Sequence, residues 1–184
     1  RVMAPTSMTT MSPIPYLSEE QWRATARRER ALLLAAQEAD RYKVREIGRN
    51  DGPRVREYLR AAGVTVPANW CASFVTWCCL QAGYGRHDIV YGGASVCNWL
   101  QWAKRVSRTV PPSLVQRGEL FLWCDEKRWR GHIGFVVAAY RVGPTWWIRT
   151  IEGNASPQNG GRDGDGVYRK LRLVRSNFRF VRLP

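Results

Sequence analysis

Four residues of this 184-residue chain are of types that together perform acyl transfer: Cys71, His132, Glu152 and Asn154. A cysteine nucleophile needs a base within hydrogen-bond reach, and the base needs a third polar group to hold its tautomer and charge. Cys71 lies near the start of the stretch Asn69-Trp-Cys-Ala-Ser-Phe-Val-Thr-Trp-Cys-Cys-Leu-Gln-Ala-Gly83. Apolar residues at 71, 74, 75, 78, 79 and 82 predict a helix that buries one face. Asn69 suits its N-cap and Gly83 the left-handed position that stops it. Cys71 then stands in the first turn, where unpaired N–H groups and the positive end of the helix dipole favour an anion. The same stretch also accommodates a cysteine that is simply a small buried residue.

His132 opens the strand pattern Gly131-His-Ile-Gly-Phe-Val-Val-Ala-Ala139, whereas His87 lies in the polar loop Gly85-Arg-His-Asp88. Alternation puts His132 and Gly134 on one face and Ile133, Phe135 and Val137 on the other. A glycine beside the imidazole leaves room for another element, and the Cys71 helix packed there would bring thiol to base. Glu152 ends the next apolar strand, placed to orient His132, with Asn154 to assist. A histidine that merely begins a strand and a carboxylate exposed at a strand end are the alternatives for each residue singly. The order of cysteine, strand-opening histidine and strand-ending glutamate is more specific than any one of them.

The surrounding elements read as helices followed by a sheet. Residues 1–17 read as a flexible leader, and residues 18–184 as a single domain that would carry the candidate catalytic residues. Ser18-Glu-Glu-Gln21 is a capping box that starts a helix running to about Ile47, so that residues 18–47 are an N-terminal helical extension. Pro53 begins a second helix with Val55, Tyr58, Leu59 and Ala62 as its buried stripe. Ser95 caps a short helix carrying Val96, Trp99, Leu100 and Ala103. From Leu120 the period becomes two, over Leu120–Trp123, His132–Tyr140, Trp146–Glu152, Val167–Val174 and Phe178–Arg182. The class is α+β, with N-terminal helices packed on a five- to six-stranded, mainly antiparallel sheet.

Lys and Arg outnumber Asp and Glu by 29 to 15, leaving a formal charge of +14, so an anionic partner is expected. The five cysteines at 71, 78, 79, 97 and 124 form no C-x-x-C, and the two histidines are far apart. Mostly reduced thiols, synthesis in a reducing cytoplasm and no metal or cofactor are expected. The longest clean apolar run, residues 31–36, is far too short for a membrane span, and residues 1–17 lack the apolar core of a signal peptide.

Several separated motifs resemble the CHAP family, the cysteine, histidine-dependent amidohydrolase/peptidases. They are Trp70-Cys-Ala-Ser-Phe-Val-Thr-Trp77, Arg117-Gly-Glu-Leu-Phe-Leu-Trp123, Gly131-His-Ile-Gly-Phe-Val136 and Ile151-Glu-Gly-Asn154. Asn50-Asp-Gly-Pro-Arg-Val-Arg-Glu-Tyr-Leu59 and Gly166-Val-Tyr-Arg169 are similar to that family too. The resemblance implies a papain-like fold and cleavage of a peptidoglycan amide, at the sugar–peptide bond or within the peptide. It implies Cys71 as nucleophile, His132 as base and then acid, Glu152 as the orienting group and Asn154 as an auxiliary. Some relatives bind calcium through clustered acids, but Asp51 stands alone and Asp163-Gly-Asp-Gly166 lacks the ligand ladder, so no metal is expected.

Trp70 and Trp129 are candidates for stacking on sugar, Asn69 for a second oxyanion donor, and the loop arginines around Trp129 for stem-peptide carboxylates. A monomer acting on peptidoglycan and anionic wall polymers follows, as phage endolysin, delivered antibacterial toxin or wall-remodelling enzyme. The competing class is a basic nucleic-acid- or wall-binding module without hydrolytic activity. No recognition helix or zinc-finger spacing supports nucleic acid as a partner.

Overall fold

The computed structural model describes residues 17–157 and 164–184. The expected leader up to residue 16, and Asp163, lie outside the described residues.

The N-terminal extension is two helices, α1 (Glu19–Ala24) and α2 (Arg27–Asp40), where one was expected. The capping box forms: Gln21 N donates to Ser18 Oγ and Ser18 N to Gln21 Oε1. The break falls at Thr25, whose backbone is extended and whose hydroxyl donates to Gln21 O at 2.7 Å. A hydroxyl bonding back onto the preceding turn competes with continuation of the helix. Helix α2 buries Ala31, Leu32, Leu34 and Ala35 in the main core, so this part of the extension packs as core.

Helix α3 (Pro53–Ala61) starts on its proline and buries Val55, Tyr58 and Leu59. Helix α4 (Cys71–Gln81) is the centre of the molecule. Every residue from Cys71 to Cys79 is buried, which corrects the expectation of a one-faced helix. Helices α2 and α3 cover one side of α4, and strands β3 and β4 the other. Phe74 shows both contacts, with its ring 5.2 Å from Tyr58 and 6.4 Å from Phe135. Burying that one side chain contributes roughly 2–3 kcal/mol. Helix α5 (Val96–Arg105) is capped by Ser95 Oγ, which accepts from Asn98 N.

The strands are β1 (Thr109–Val110), β2 (Leu120–Asp125), β3 (Arg130–Val142), β4 (Thr145–Ala155), β5 (Gly166–Leu173) and β6 (Arg179–Val181). They form one antiparallel sheet in the order β1-β6-β2-β3-β4-β5. The protein is α+β, as the change of hydrophobic period from helix to strand requires. One face of the sheet carries Ile133, Phe135 and Ile151 into the core beneath α4. The opposite face carries a smaller cluster of Phe121, Val136, Ile148 and Phe180.

Candidate active site

Cys71 is the first residue of α4, and the cap position before it is Trp70, not Asn69. Neither side chain caps the helix, so the first-turn N–H groups have no side-chain acceptor from that position. Cys71 is 6% exposed and opens onto a cleft of about 1020 Å³. His132 lies at the entry of β3, opposite Trp123 of β2. Its Nε2 is 2.7 Å from Glu152 Oε2, and the Cys71 side chain interacts with the same imidazole. The imidazole keeps 15% of its side-chain surface open, enough to meet a substrate.

The route by which thiol and imidazole meet differs from the expected one. Helix α4 does not use the space beside Gly134. A Cβ on Gly134 would sit 2.7 Å from Glu152 Cγ and 2.9 Å from Ile151 O, so that glycine makes room for the carboxylate. The helix packs on the other face, where a Cβ on Gly153 would sit 2.7 Å from Phe74 Cγ. Two glycines on neighbouring strands therefore admit two different partners, one to each face of the sheet.

Glu152 is fully buried and holds three partners. Arg172 of β5 grips both carboxylate oxygens with its Nε and Nη2, Thr150 Oγ1 donates to Oε1, and His132 takes Oε2. Burial pushes the carboxyl up, but the Arg172 and His132 hydrogen bonds outweigh it and hold Glu152 at about 2. Burial likewise pushes the His132 imidazole down, yet its interactions with Cys71 and with the accepting Glu152 carboxylate favour the protonated ring and bring it to about 9. Arg172 was not among the expected residues. The signal for it is weak: Lys170 and Arg172 alternate along β5 like an ordinary solvated face, and only the register opposite β4 turns that face onto Glu152.

Asn154 follows Glu152 across a register shift in β4 and has a positive φ of 50°, which asparagine tolerates. With its amide oriented to satisfy its neighbours, it accepts from Trp70 N at 3.1 Å and donates to Gly164 O at 2.7 Å. It thus braces the entry to α4, and among the described residues no hydrogen bond joins it to His132. The Asn69 amide approaches it to 3.4 Å and lines the cleft beside Cys71.

The two tryptophans separate. Trp70 is fully buried, stacked 5.5 Å from Tyr58, with its Nε1 donating to Glu46 Oε1 at 2.6 Å. It cannot present a face to sugar, and its expected role in substrate binding is corrected. Trp129 is 54% exposed and lines the cleft. His87 is exposed beside Asp88, as its loop setting suggested.

The expectation of unpaired thiols is corrected for one pair. Cys97, in the first turn of α5, is disulfide-bonded to Cys124 of β2 across 27 positions of sequence. The bond ties one wall of the cleft to the strand that pairs with His132, and a long-range pairing of this kind leaves no local spacing signal. Such bonds persist in oxidising surroundings, unlike the reducing compartment inferred from the thiols. Cys71, Cys78 and Cys79 are free. Burial pushes the Cys78 and Cys79 thiols up, and of the three only Cys71 lines the cleft.

Comparison with known families matches the CHAP domain to residues 63–154, half of the chain. The chain belongs to the CHAP domain family. No curated protein and no solved structure matches it. The matched span of this CHAP protein runs from the end of α3 to Asn154, and so includes Cys71, His132 and Glu152. Arg172 and helix α2 lie outside it. Family membership places the protein among hydrolases of the amidase/peptidase kind that act on peptidoglycan at the cell wall. Among the described residues, no helix is long and apolar enough to cross a membrane.

Proposed function

We propose that this CHAP protein hydrolyses a peptidoglycan amide through a covalent acyl-enzyme on Cys71, with residues 18–184 acting as one catalytic unit. The observation that supports this most directly is the continuous contact from Cys71 through His132 to Glu152 at the floor of an open cleft. His132 holds the thiol proton as the sulfur attacks the scissile carbonyl. The tetrahedral oxyanion forms against the Cys71 backbone N–H, with the Asn69 amide as second donor. His132 then protonates the leaving amine, and water, activated by the same ring, releases the acyl group. Glu152 stabilises the imidazolium throughout, Arg172 keeps Glu152 ionised and oriented, and Asn154 fixes the start of α4. Trp129 offers an aromatic face to the glycan at the rim. The +14 surface draws a monomer to anionic wall polymers, and this chemistry serves a phage lysin, a delivered toxin or a remodelling enzyme equally.

The test is digestion of purified peptidoglycan by wild type and Cys71→Ala, with the released ends identified by mass spectrometry. Wild type releases fragments and the variant does not. Free stem peptides together with peptide-free glycan mark an amidase, and new termini inside the stem or bridge mark an endopeptidase. Equal release by the two proteins refutes Cys71 as nucleophile. No release by either refutes the hydrolase reading.

A further inference from the structure

The cleft beside Cys71 has a one-sided charge. Arg49, Arg130, Lys170 and Arg172 line it, and no carboxylate does so among the described residues. The cations are not equivalent. Arg172 is committed to Glu152, and Lys170 Nζ donates to Ser156 O at 2.7 Å. Of the two arginines shortly before His132, Arg128 turns onto Asp125 and stays off the cleft. Arg130 is exposed, lines the cleft and has no side-chain hydrogen bond or ion pair among the described residues. It precedes His132 by two positions on β3 and so stands on the same face, about 7 Å along the strand. That is roughly the length of two residues of a bound peptide.

Beside it, Trp129 holds a positive φ of 50°, an unfavourable conformation for a bulky residue, and is more than half exposed. A strained aromatic next to an unpaired guanidinium is arranged for a ligand that has a planar or apolar body and an anionic end.

We propose that Arg130, with Trp129 beside it, selects substrates that carry a free carboxylate within about two residues of the cleaved amide. This rests on the hydrolase reading and narrows it: the preferred wall polymer has ionised stem-peptide carboxylates, and amidation of those groups protects it. The guanidinium forks onto a carboxylate in two parallel hydrogen bonds and has no equivalent arrangement for a neutral amide.

Purified peptidoglycan, before and after carbodiimide–ammonia amidation of its free carboxylates, is offered to wild type, Arg130→Gln and Arg128→Gln. Initial rates are read below saturation. Amidation lowers the wild-type and Arg128→Gln rates about tenfold or more. Arg130→Gln is slowed to a similar degree on untreated polymer and becomes indifferent to amidation. The two variants lose the same charge, so equal behaviour assigns any effect to net charge and overturns the proposal, as does a wild type indifferent to amidation. If wild type cuts neither polymer, the hydrolase reading fails separately. Co-sedimentation of Cys71→Ala protein with the two polymers then decides: tighter binding to the untreated one, abolished by adding Arg130→Gln, sustains the carboxylate site, and equal binding refutes it.

Discussion

Replacing Arg172 with methionine removes the guanidinium from a carboxylate that has no exposed surface of its own. Glu152 is held at about 2 against an ordinary 4.5, with the Arg172 hydrogen bonds the leading cause among those that lower it. A displacement of that size corresponds to about 3 kcal/mol of preference for the ionised form. Removing one partner of a buried pair costs about 3–5 kcal/mol. Arg172 keeps 29% of its side chain in water and His132 still faces the carboxylate, so the lower end applies, about 3 kcal/mol. For a chain of this size that is a fall in Tm of roughly 6–12 °C.

The acid side of the stability profile changes too. A carboxyl with a depressed folded pKa stabilises fully above its unfolded value and loses that contribution as pH falls through the folded one. Wild type therefore loses the Glu152 contribution between about pH 4.5 and about 2, whereas Arg172→Met has little of it to lose. The double variant Arg172→Met/Glu152→Gln separates stability from chemistry. With no charge left buried it recovers most of the lost Tm, yet it digests peptidoglycan no better than the single variant. Thermal melts at pH 7 and pH 3, with digestion assays on the same samples, read both quantities. A single variant that melts within about 2 °C of wild type, or a double variant that melts lower still, refutes the argument.

Two further outcomes follow from the same geometry. In the proposed mechanism His132, raised to about 9, carries the proton for the leaving amine, so activity is expected to persist to about pH 9 and to fall above it. Glu152→Gln moves that limb down by about one unit or more, because it removes an attracting charge and leaves Arg172 to repel the imidazolium. A limb that stays near 9 in the variant would assign the proton to another group. Opening the Cys97–Cys124 bond by the double change Cys97→Ala/Cys124→Ala frees a loop spanning 27 positions, at a cost of about 3.5 kcal/mol in the chain-entropy description. A melting curve identical to wild type contradicts that estimate.

The contact from Cys71 through His132 to Glu152 was legible because residue type and local setting agree for each: a helix start, a strand start and a strand end. Their meeting could not be derived from those settings. Alternation correctly put Ile133 and Phe135 on one face of β3, but nothing local says that α4 takes this face while Glu152 takes the other. Arg172 escaped notice for a related reason. Its meaning comes from register, Ile148 opposite Arg172, which carries the guanidinium onto the face where Thr150 and Glu152 also point. Trp70 misled because an aromatic beside the proposed nucleophile resembles a substrate platform, and its true partner, Glu46, lies 24 positions upstream in a loop. The pairing of Cys97 with Cys124 is invisible for the same reason: only the packing of α5 against β2 brings them together.

The division of the sheet into two faces also explains how a buried carboxylate is tolerated. Cys71 belongs to the apolar side, at the end of a helix buried on every face. Glu152, Thr150 and Arg172 lie on the other side, with His132 between the two. Phe121 covers both ends of that polar row, 6.3 Å from the His132 ring and 5.7 Å beneath the Arg172 guanidinium. One aromatic ring thus shields part of the imidazole and of the cation that balances Glu152, and around the fully buried carboxylate each of these interactions is stronger than it would be in solvent. The apolar packing between α4 and the sheet is spared the Glu152 charge, and the sulfur meets an imidazole whose proton is held in place from behind.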